Sequence, residues 1–259
     1  MMSRLITGGY SQEHMYNYKI VIQYDGARYN GWQRQGNTKN TIQEKIEEVI
    51  HGLTGMTAEV ISSGRTDAGV HALAQTANFK SEEKLACPGF ICDLNRYLPK
   101  DIRILSMEEA DIRFHARLNA KKKTYVYRID NTLYGSVFDR KYSMRFNERL
   151  DINKMRAASA YYVGEHDFKS FCTKKSMKKS TVRTIYSVDI EENKGIIEIV
   201  YCGNGFLYNM VRILTGTLME VGRGNIDPDS IPAIIESGDR KNAGFTAQPE
   251  GLFLKSVEY

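Results

Sequence analysis

The 259-residue sequence has few cysteines, and their spacing matches neither a metal site nor a disulfide framework. The four cysteines show no paired C-x-x-C spacing and no nearby histidine ligands, which argues against structural zinc. Scattered thiols are typical of a reducing compartment, so we expect a cytoplasmic protein. The first residues also lack the charged and then apolar pattern of a secretory signal. The cysteines are Cys87, Cys92, Cys172 and Cys202.

Long apolar runs and several familiar catalytic motifs are also absent. No apolar run approaches the roughly 18 residues that would span a bilayer, so we expect no membrane segment. The phosphate-binding loop, the dinucleotide fingerprint and the serine-nucleophile motifs are missing. The candidate chemistry therefore rests on carboxylates, cations and aromatic side chains.

Positive charge is in moderate excess, and it is clustered. The formal net charge is +5. One cluster is Lys121–Lys123, and a looser one extends from Lys169 to Arg183 beside Phe168 and Phe171. Clustered cations that face a polyanion release its counterions, so a nucleic acid is a candidate partner. A solvated surface is the alternative interpretation of both clusters.

Apolar periodicity predicts an α+β fold with two similar halves. A tail over residues 1–16 precedes an N-terminal half over 17–112 and a C-terminal half over 113–259. Each half is expected to form a mostly antiparallel sheet covered by helices, with a central cleft between the halves. The predicted strands span 18–24, 58–61, 76–79, 102–108, 121–129, 182–190, 195–201 and 251–259. The predicted helices span 41–53, 88–98, 152–163, 206–221 and 228–236.

The stretch SSGRTDAGVHALAQTANF, residues 62–79, contains the loop with the most concentrated polar chemistry. Gly64 and Gly69 bracket a cation, a hydroxyl and a carboxylate, contributed by Arg65, Thr66 and Asp67. Paired glycines suit a tight turn that holds a side chain out from the edge of a sheet. The alternative is that Asp67 only caps its own turn.

Arg212 and Tyr125 are the other two candidates outside this loop. Arg212 interrupts the most apolar predicted helix. A partly buried arginine needs an anion, which an aspartate could supply. The alternative is that Arg212 lies on the solvent-exposed face of the helix. Tyr125 follows Lys121–Lys123 in a predicted strand, where it could pack in the core or stack on a nucleobase.

Three segments together resemble the signature sequences of the tRNA pseudouridine synthase A (TruA) family. They are GRTDAGVHALAQTANF at 64–79, FHARLNAKKKTYVYRI at 114–129 and GNGFLYNMVRILTG at 203–216. The resemblance covers about residues 17–259. It implies the pseudouridine synthase fold with a central RNA-binding cleft, and a homodimer whose tRNA contacts both subunits. It further implies isomerisation of uridines 38, 39 and 40 in the anticodon stem-loop, without metal or organic cofactor.

The resemblance also implies roles for individual residues. Asp67 corresponds to the nucleophile, and Arg65 to the arginine that helps to flip the target uridine. Tyr125 corresponds to the tyrosine that stacks on the uracil and relays a proton, and Arg212 to the arginine that pairs with the aspartate. The family usually has histidine where this chain has Asn209, which leaves the range of substrates open. We further predict substrate binding by Thr66, Gly69, His71, Arg117, Lys121, Lys123, Arg34, Lys174 and Lys175.

Two points stay open at the level of sequence. A carboxylate could attack either C6 of the uracil or C1′ of the ribose, since both would hold the intermediate while the base turns. The alternative functions are a tRNA-binding or folding-assistant protein, and a pseudouridine synthase that acts on another RNA.

Overall fold

The structure, a computed structural model, describes residues 15–173 and 180–259. The predicted tail lies almost entirely outside these residues, as do Lys174 and Lys175. The strands are β1 (Tyr16–Tyr24), β2 (Ile61–Ser62), β3 (His71–Ser81), β4 (Ile102–Ala110), β5 (Lys122–Asp130), β6 (Met144–Arg145), β7 (Gly164–Asp167), β8 (Val182–Asn193), β9 (Ile196–Gly203) and β10 (Leu252–Glu258). The helices are α1 (Ile42–Thr54), α2 (Cys87–Tyr97), α3 (Ile152–Ala160), α4 (Met210–Arg223) and α5 (Ile231–Ser237).

The described strands form one ten-stranded sheet in the order β4-β1-β3-β10-β5-β9-β8-β7, with β2 on β3 and β6 on β5. All pairs along the main order are antiparallel except β3 with β10. The predicted α+β class is confirmed. The sheet is continuous because the last strand, β10, pairs with β3 on one side and with β5 on the other.

Local sequence accounts for the best-predicted elements. In β1 the side chains of Tyr18, Ile20 and Ile22 are fully buried, as a period of two requires. Helix α1 begins where the Thr41 hydroxyl accepts a hydrogen bond from the Glu44 backbone N–H, and it ends at a left-handed Gly55. None of the helices in residues 15–173 and 180–259 is long and apolar enough to cross a membrane.

The structure differs from the sequence prediction around the functional segments. Helix α4 begins at Met210 rather than at residue 206, because Asn209 has a φ of 60° and cannot continue a right-handed helix. Strand β3 begins at His71, five residues earlier than predicted, so the preceding loop is short. The two-residue β6 and four-residue β7 were not predicted, because such short strands carry little periodicity.

Gly216 lets the segment 244–247 pack directly on α4. A Cβ at Gly216 would lie 1.9 Å from the backbone oxygen of Phe245. We therefore expect Gly216→Ala to lower the free energy of unfolding by about 3 kcal/mol, because backbone must move to admit the methyl group. Gly52→Ala on α1 is the matched control: beyond the adjacent residues and backbone of its own helix, no atom lies within 4 Å of a Cβ there, and helix propensity should raise stability by about 0.5–1 kcal/mol. Urea unfolding of both variants tests the pair, and equal effects would contradict the close packing.

Candidate active site

The loop that joins β2 to β3 lies over one face of the sheet. A row of directly paired residues crosses the sheet from Tyr24 through Ala72, Leu254 and Tyr125 to Tyr201. Directly paired residues point to the same face of a sheet. The Tyr24 hydroxyl lies 2.8 Å from the Thr66 hydroxyl, so the loop covers the face on which Tyr125 lies.

The segment between β1 and α1 packs against this loop and supports it. Trp32 is buried, and its backbone N–H donates to the Thr66 carbonyl at 3.0 Å. Gly31 has a φ of 90°, and a Cβ there would approach the Thr66 carbonyl oxygen to 2.7 Å. The Trp32 ring also packs on the Tyr24 ring, with centroids 6.0 Å apart. The only tryptophan of the sequence therefore has a structural role beside the loop.

All four residues that the sequence suggests for catalysis line a single cleft of about 400 Å³. A volume of this size is within the usual range for a small-molecule or nucleotide site. The described lining also includes Ser63, Gly64, Thr66, Val70, Arg117, Lys123, Arg183, Phe206, Leu207, Tyr208, Asn209, Met210, Val211 and Leu252 besides Arg65, Asp67, Tyr125 and Arg212.

Asp67 and Arg212 form an ion pair inside the cleft. Arg212 Nη1 lies 3.7 Å from Asp67 Oδ2, and the two side chains are 15% and 26% exposed. A cation at this distance favours the ionised carboxylate. The pairing joins residues from opposite halves of the chain, so a role limited to capping its own turn does not describe Asp67.

Two further contacts fix the Arg212 guanidinium. Its Nε donates to the Ala247 carbonyl at 2.6 Å, and its Nη1 donates to Asn209 Oδ1 at 3.0 Å. The Asn209 amide in turn donates to the Thr173 hydroxyl at 3.0 Å. Arg212 is thus oriented by the residue just before α4 and by the segment packed on that helix.

Tyr125 is buried and also contributes to the wall of the cleft. Only 8% of its surface is exposed, and its ring meets Phe206 edge-on at 5.2 Å. Burial first, followed by the charges of Tyr24 and Asp67, raises the pKa of Tyr125 above its ordinary range. The Tyr125 hydroxyl therefore keeps its proton at neutral pH. The ring therefore packs in the core and also borders the cleft, whereas its stacking on a nucleobase stays a prediction.

A basic wall, made of Arg117, Lys123 and Arg183, completes the cleft. Lys123 Nζ donates to the Ser63 carbonyl at 2.6 Å. Burial first, followed by the charges of Arg117 and Arg183, lowers the pKa of Lys123 to about 8. Sequence reasoning did not include Arg183 or Phe206 in the site; β8 and the non-helical segment before α4 bring them there. The one signal in the sequence was the place of Arg183 in the second cationic cluster.

Four predicted substrate-binding residues do not line this cleft. His71 is 1% exposed, stacks on Phe253 at 4.6 Å and accepts a hydrogen bond from the Gly26 N–H, so it supports the junction of β3 and β10 instead. Arg34 lies on another surface and pairs with Glu47 at 2.9 Å. Lys121 is exposed just before β5, and Gly69 has a φ of 80° in the turn before β3. Thr66 does line the cleft, but its hydroxyl forms a hydrogen bond with the Tyr24 hydroxyl.

The described residues include no group of three or more His, Cys, Asp or Glu side chains that could hold a metal ion. The described lining of the cleft provides one carboxylate, two tyrosines and several cations. Such a set can supply a nucleophile, a proton-bearing hydroxyl and binding energy for an anionic substrate.

Comparison with known proteins gives strong matches over most of the chain. A family model described as tRNA pseudouridine synthase matches residues 20–119 and 158–259. The chain is 51% identical over 245 residues to tRNA pseudouridine synthase A 2 of Bacillus cereus, a match that covers 95% of this chain and 100% of that protein. It is 48% identical to tRNA pseudouridine synthase A of Acetivibrio thermocellus with the same coverage. Among solved structures, a chain of a Cbf5–Nop10–Gar1 complex matches at a TM-score of 0.42 and 14% identity, covering 92% of this chain and 48% of that chain.

Proposed function

Because the chain belongs to the tRNA pseudouridine synthase family, we propose that it isomerises uridines in the anticodon stem-loop of tRNA with Asp67 as the nucleophile. The chain is an RNA uridine isomerase, and tRNA is its substrate. The observation that carries the assignment of Asp67 is its ion pair with Arg212 inside a cleft bordered by Tyr125.

The reaction needs a group that can hold an intermediate while a base rotates. The C1′–N1 bond of uridine breaks and a C1′–C5 bond forms, while C5 loses a proton and N1 gains one. No electrons are exchanged with a redox partner. The Asp67 carboxylate would attack C6 or C1′, and Arg212 would keep it ionised. The protonated hydroxyl of Tyr125, whose side chain borders the same cleft, would exchange a proton with the turning base.

The target uridine must leave its stack to enter this cleft. Extrusion of a base costs a few kcal/mol, and a single-stranded loop makes it easier than a duplex does. Arg65 is exposed at the rim of the cleft, where its guanidinium can occupy the space that the base leaves. Uridines 38, 39 and 40 lie in and directly beside the anticodon loop, where fewer stacked pairs must be disrupted than in the middle of a duplex.

A map of pseudouridines at nucleotide resolution tests the proposal. Purified protein is incubated with unmodified tRNA transcripts, and carbodiimide-dependent stops are sequenced. Signal confined to the anticodon stem-loop would support the proposed target. Signal elsewhere, or only on messenger or ribosomal hairpins, would replace it with another RNA. Tight tRNA binding with no pseudouridine at all would favour a binding or folding-assistant role.

Asn209 is expected to act as a positioning residue for Arg212. Asn209→Gly and Asn209→Ala both remove the amide that holds the guanidinium, so the single-turnover rate should fall about tenfold in each. Only alanine also strains the backbone at a φ of 60°, and its free energy of unfolding should be about 1 kcal/mol below that of the glycine variant. Rapid-quench kinetics and urea unfolding measure the two effects. Wild-type rates in both variants would contradict the positioning role.

We also propose that the protein acts as a homodimer, as the family resemblance implies. The loop between β5 and β6 exposes Leu133, Tyr134 and Phe138 by 79%, 91% and 86%, which provides apolar surface for an association. Light scattering of the purified protein measures its mass, and a monomer at working concentration would contradict this proposal.

A further inference from the structure

We propose that Arg117, Lys123 and Arg183 form a phosphate-binding subsite that holds a backbone phosphate next to the target uridine. The inference rests on the proposed function for the identity of the RNA. Its basis is a set of three cations that three separate segments of the chain bring to one wall of the cleft. None of the three has an acidic partner among the described residues.

The three side chains reach the same cleft from different parts of the fold. Arg117 comes from the connector between β4 and β5, Lys123 from β5 and Arg183 from the start of β8. The Lys123 ammonium is anchored by the Ser63 carbonyl at 2.6 Å, which leaves it other protons to donate. Gly64 gives it room, because a Cβ at Gly64 would lie 3.1 Å from Nζ.

The charges of this subsite are not balanced within the described part of the protein. None of the three cations forms an ion pair with a carboxylate in residues 15–173 and 180–259. Asp67 is the only carboxylate in the described lining, and Arg212 pairs with it. Like charges that are partly desolvated disfavour one another, and a phosphate would relieve this cost with charge-assisted hydrogen bonds.

The position of the subsite identifies the phosphate that it would take. Ser63, which anchors Lys123, is in the same loop as Arg65 and Asp67. Since the basic wall and Asp67 border one cleft of about 400 Å³, the bound phosphate belongs to the nucleotide at Asp67 or to its immediate neighbour. The subsite would thus hold the backbone while the base is extruded.

A thermodynamic cycle with neutral phosphates tests the subsite. The probes are anticodon stem-loop RNAs that carry one methylphosphonate, either 5′ or 3′ of the target uridine. All proteins carry Asp67→Asn to prevent turnover. Lys123→Met and Arg183→Met should each weaken binding of the all-phosphate RNA about tenfold, and this loss should vanish with one of the two methylphosphonates. The same loss with every RNA would overturn the proposal.

Two controls separate the possible failures. Lys154→Met removes an exposed lysine of α3 that does not line the cleft, and its small effect should be the same for all RNAs. Pseudouridine formation by the wild-type protein is measured independently. If the wild type forms pseudouridine and the effects in the cycle are additive, the phosphate-binding subsite is rejected and the proposed function stands. If the wild type forms no pseudouridine, the proposed function is rejected.

The pH dependence of RNA binding offers a second measurement, in which the substituted residue keeps its positive charge. Well below pH 8 the Lys123 ammonium is already protonated, so its contribution to affinity does not change there. A phosphate beside it raises its pKa, so binding above pH 8 takes up a proton and affinity falls as pH rises. Lys123→Arg stays charged throughout and should remove this fall between pH 7 and 9. An identical pH profile in wild type and Lys123→Arg would overturn the role of Lys123. The charged or titratable groups around Lys123 in this cleft are Arg65, Asp67, Arg117, Tyr125, Arg183, Tyr208 and Arg212.

Discussion

Asp67→Asn is expected to lower the rate of pseudouridine formation by about 10⁴-fold or more, as removal of a nucleophile does in other covalent enzymes. Asparagine keeps the shape of the side chain but cannot form the covalent intermediate at C6 or C1′. Because Asp67 is 26% exposed and not deep in the core, the fold should survive the change. Single-turnover assays on an anticodon stem-loop RNA measure the effect on chemistry directly.

Binding of RNA gives the control for this variant. The affinity of Asp67→Asn for the stem-loop should stay within a few-fold of wild type, since the cations that line the cleft are unchanged. Urea unfolding should confirm an intact fold. Wild-type activity in Asp67→Asn would remove the basis for assigning the nucleophile, whatever the family.

Arg212→Met should show the second largest effect, a loss of about 10²–10³-fold in the rate of the chemical step. The change removes the cation that pairs with Asp67 and leaves the Ala247 carbonyl without its Nε donor. An unsatisfied buried acceptor costs about 1–3 kcal/mol, so the free energy of unfolding should also fall. Rapid-quench kinetics and urea unfolding separate the catalytic effect from the structural one.

Arg212→Lys distinguishes charge from geometry at this position. Lysine supplies a cation near Asp67, but it lacks the planar fork that contacts Ala247, Asn209 and Asp67 together. Its rate should lie between wild type and Arg212→Met. A rate equal to that of Arg212→Met would mean that orientation by the fork, and not the charge, decides the chemistry. Equal rates for all three proteins would contradict any role of Arg212 in the reaction.

Local signals in the sequence were sufficient to predict several elements and to select the candidate reacting groups. Helical apolar spacing predicted α1, a compact apolar run predicted β1 and alternation predicted β5. The glycines around Arg65 and Asp67 predicted a polar loop, and the apolar surroundings of Arg212 suggested an anionic partner. These features could be predicted because each depends on residues that are close in the chain.

The sequence by itself determined which side chains are candidates for the chemistry, whereas the tertiary structure decided which of them share a cleft. Pairing of β10 between β3 and β5 joins the two halves and brings Tyr125 near the Asp67 loop. The same pairing buries His71 at the junction, although the preceding residue, Val70, lines the cleft. Long-range strand pairing and the left-handed conformation of Asn209 set these positions, and neither leaves a periodic pattern in the local sequence. Strand pairing in particular brings distant residues together, and packing of the whole sheet selects those contacts.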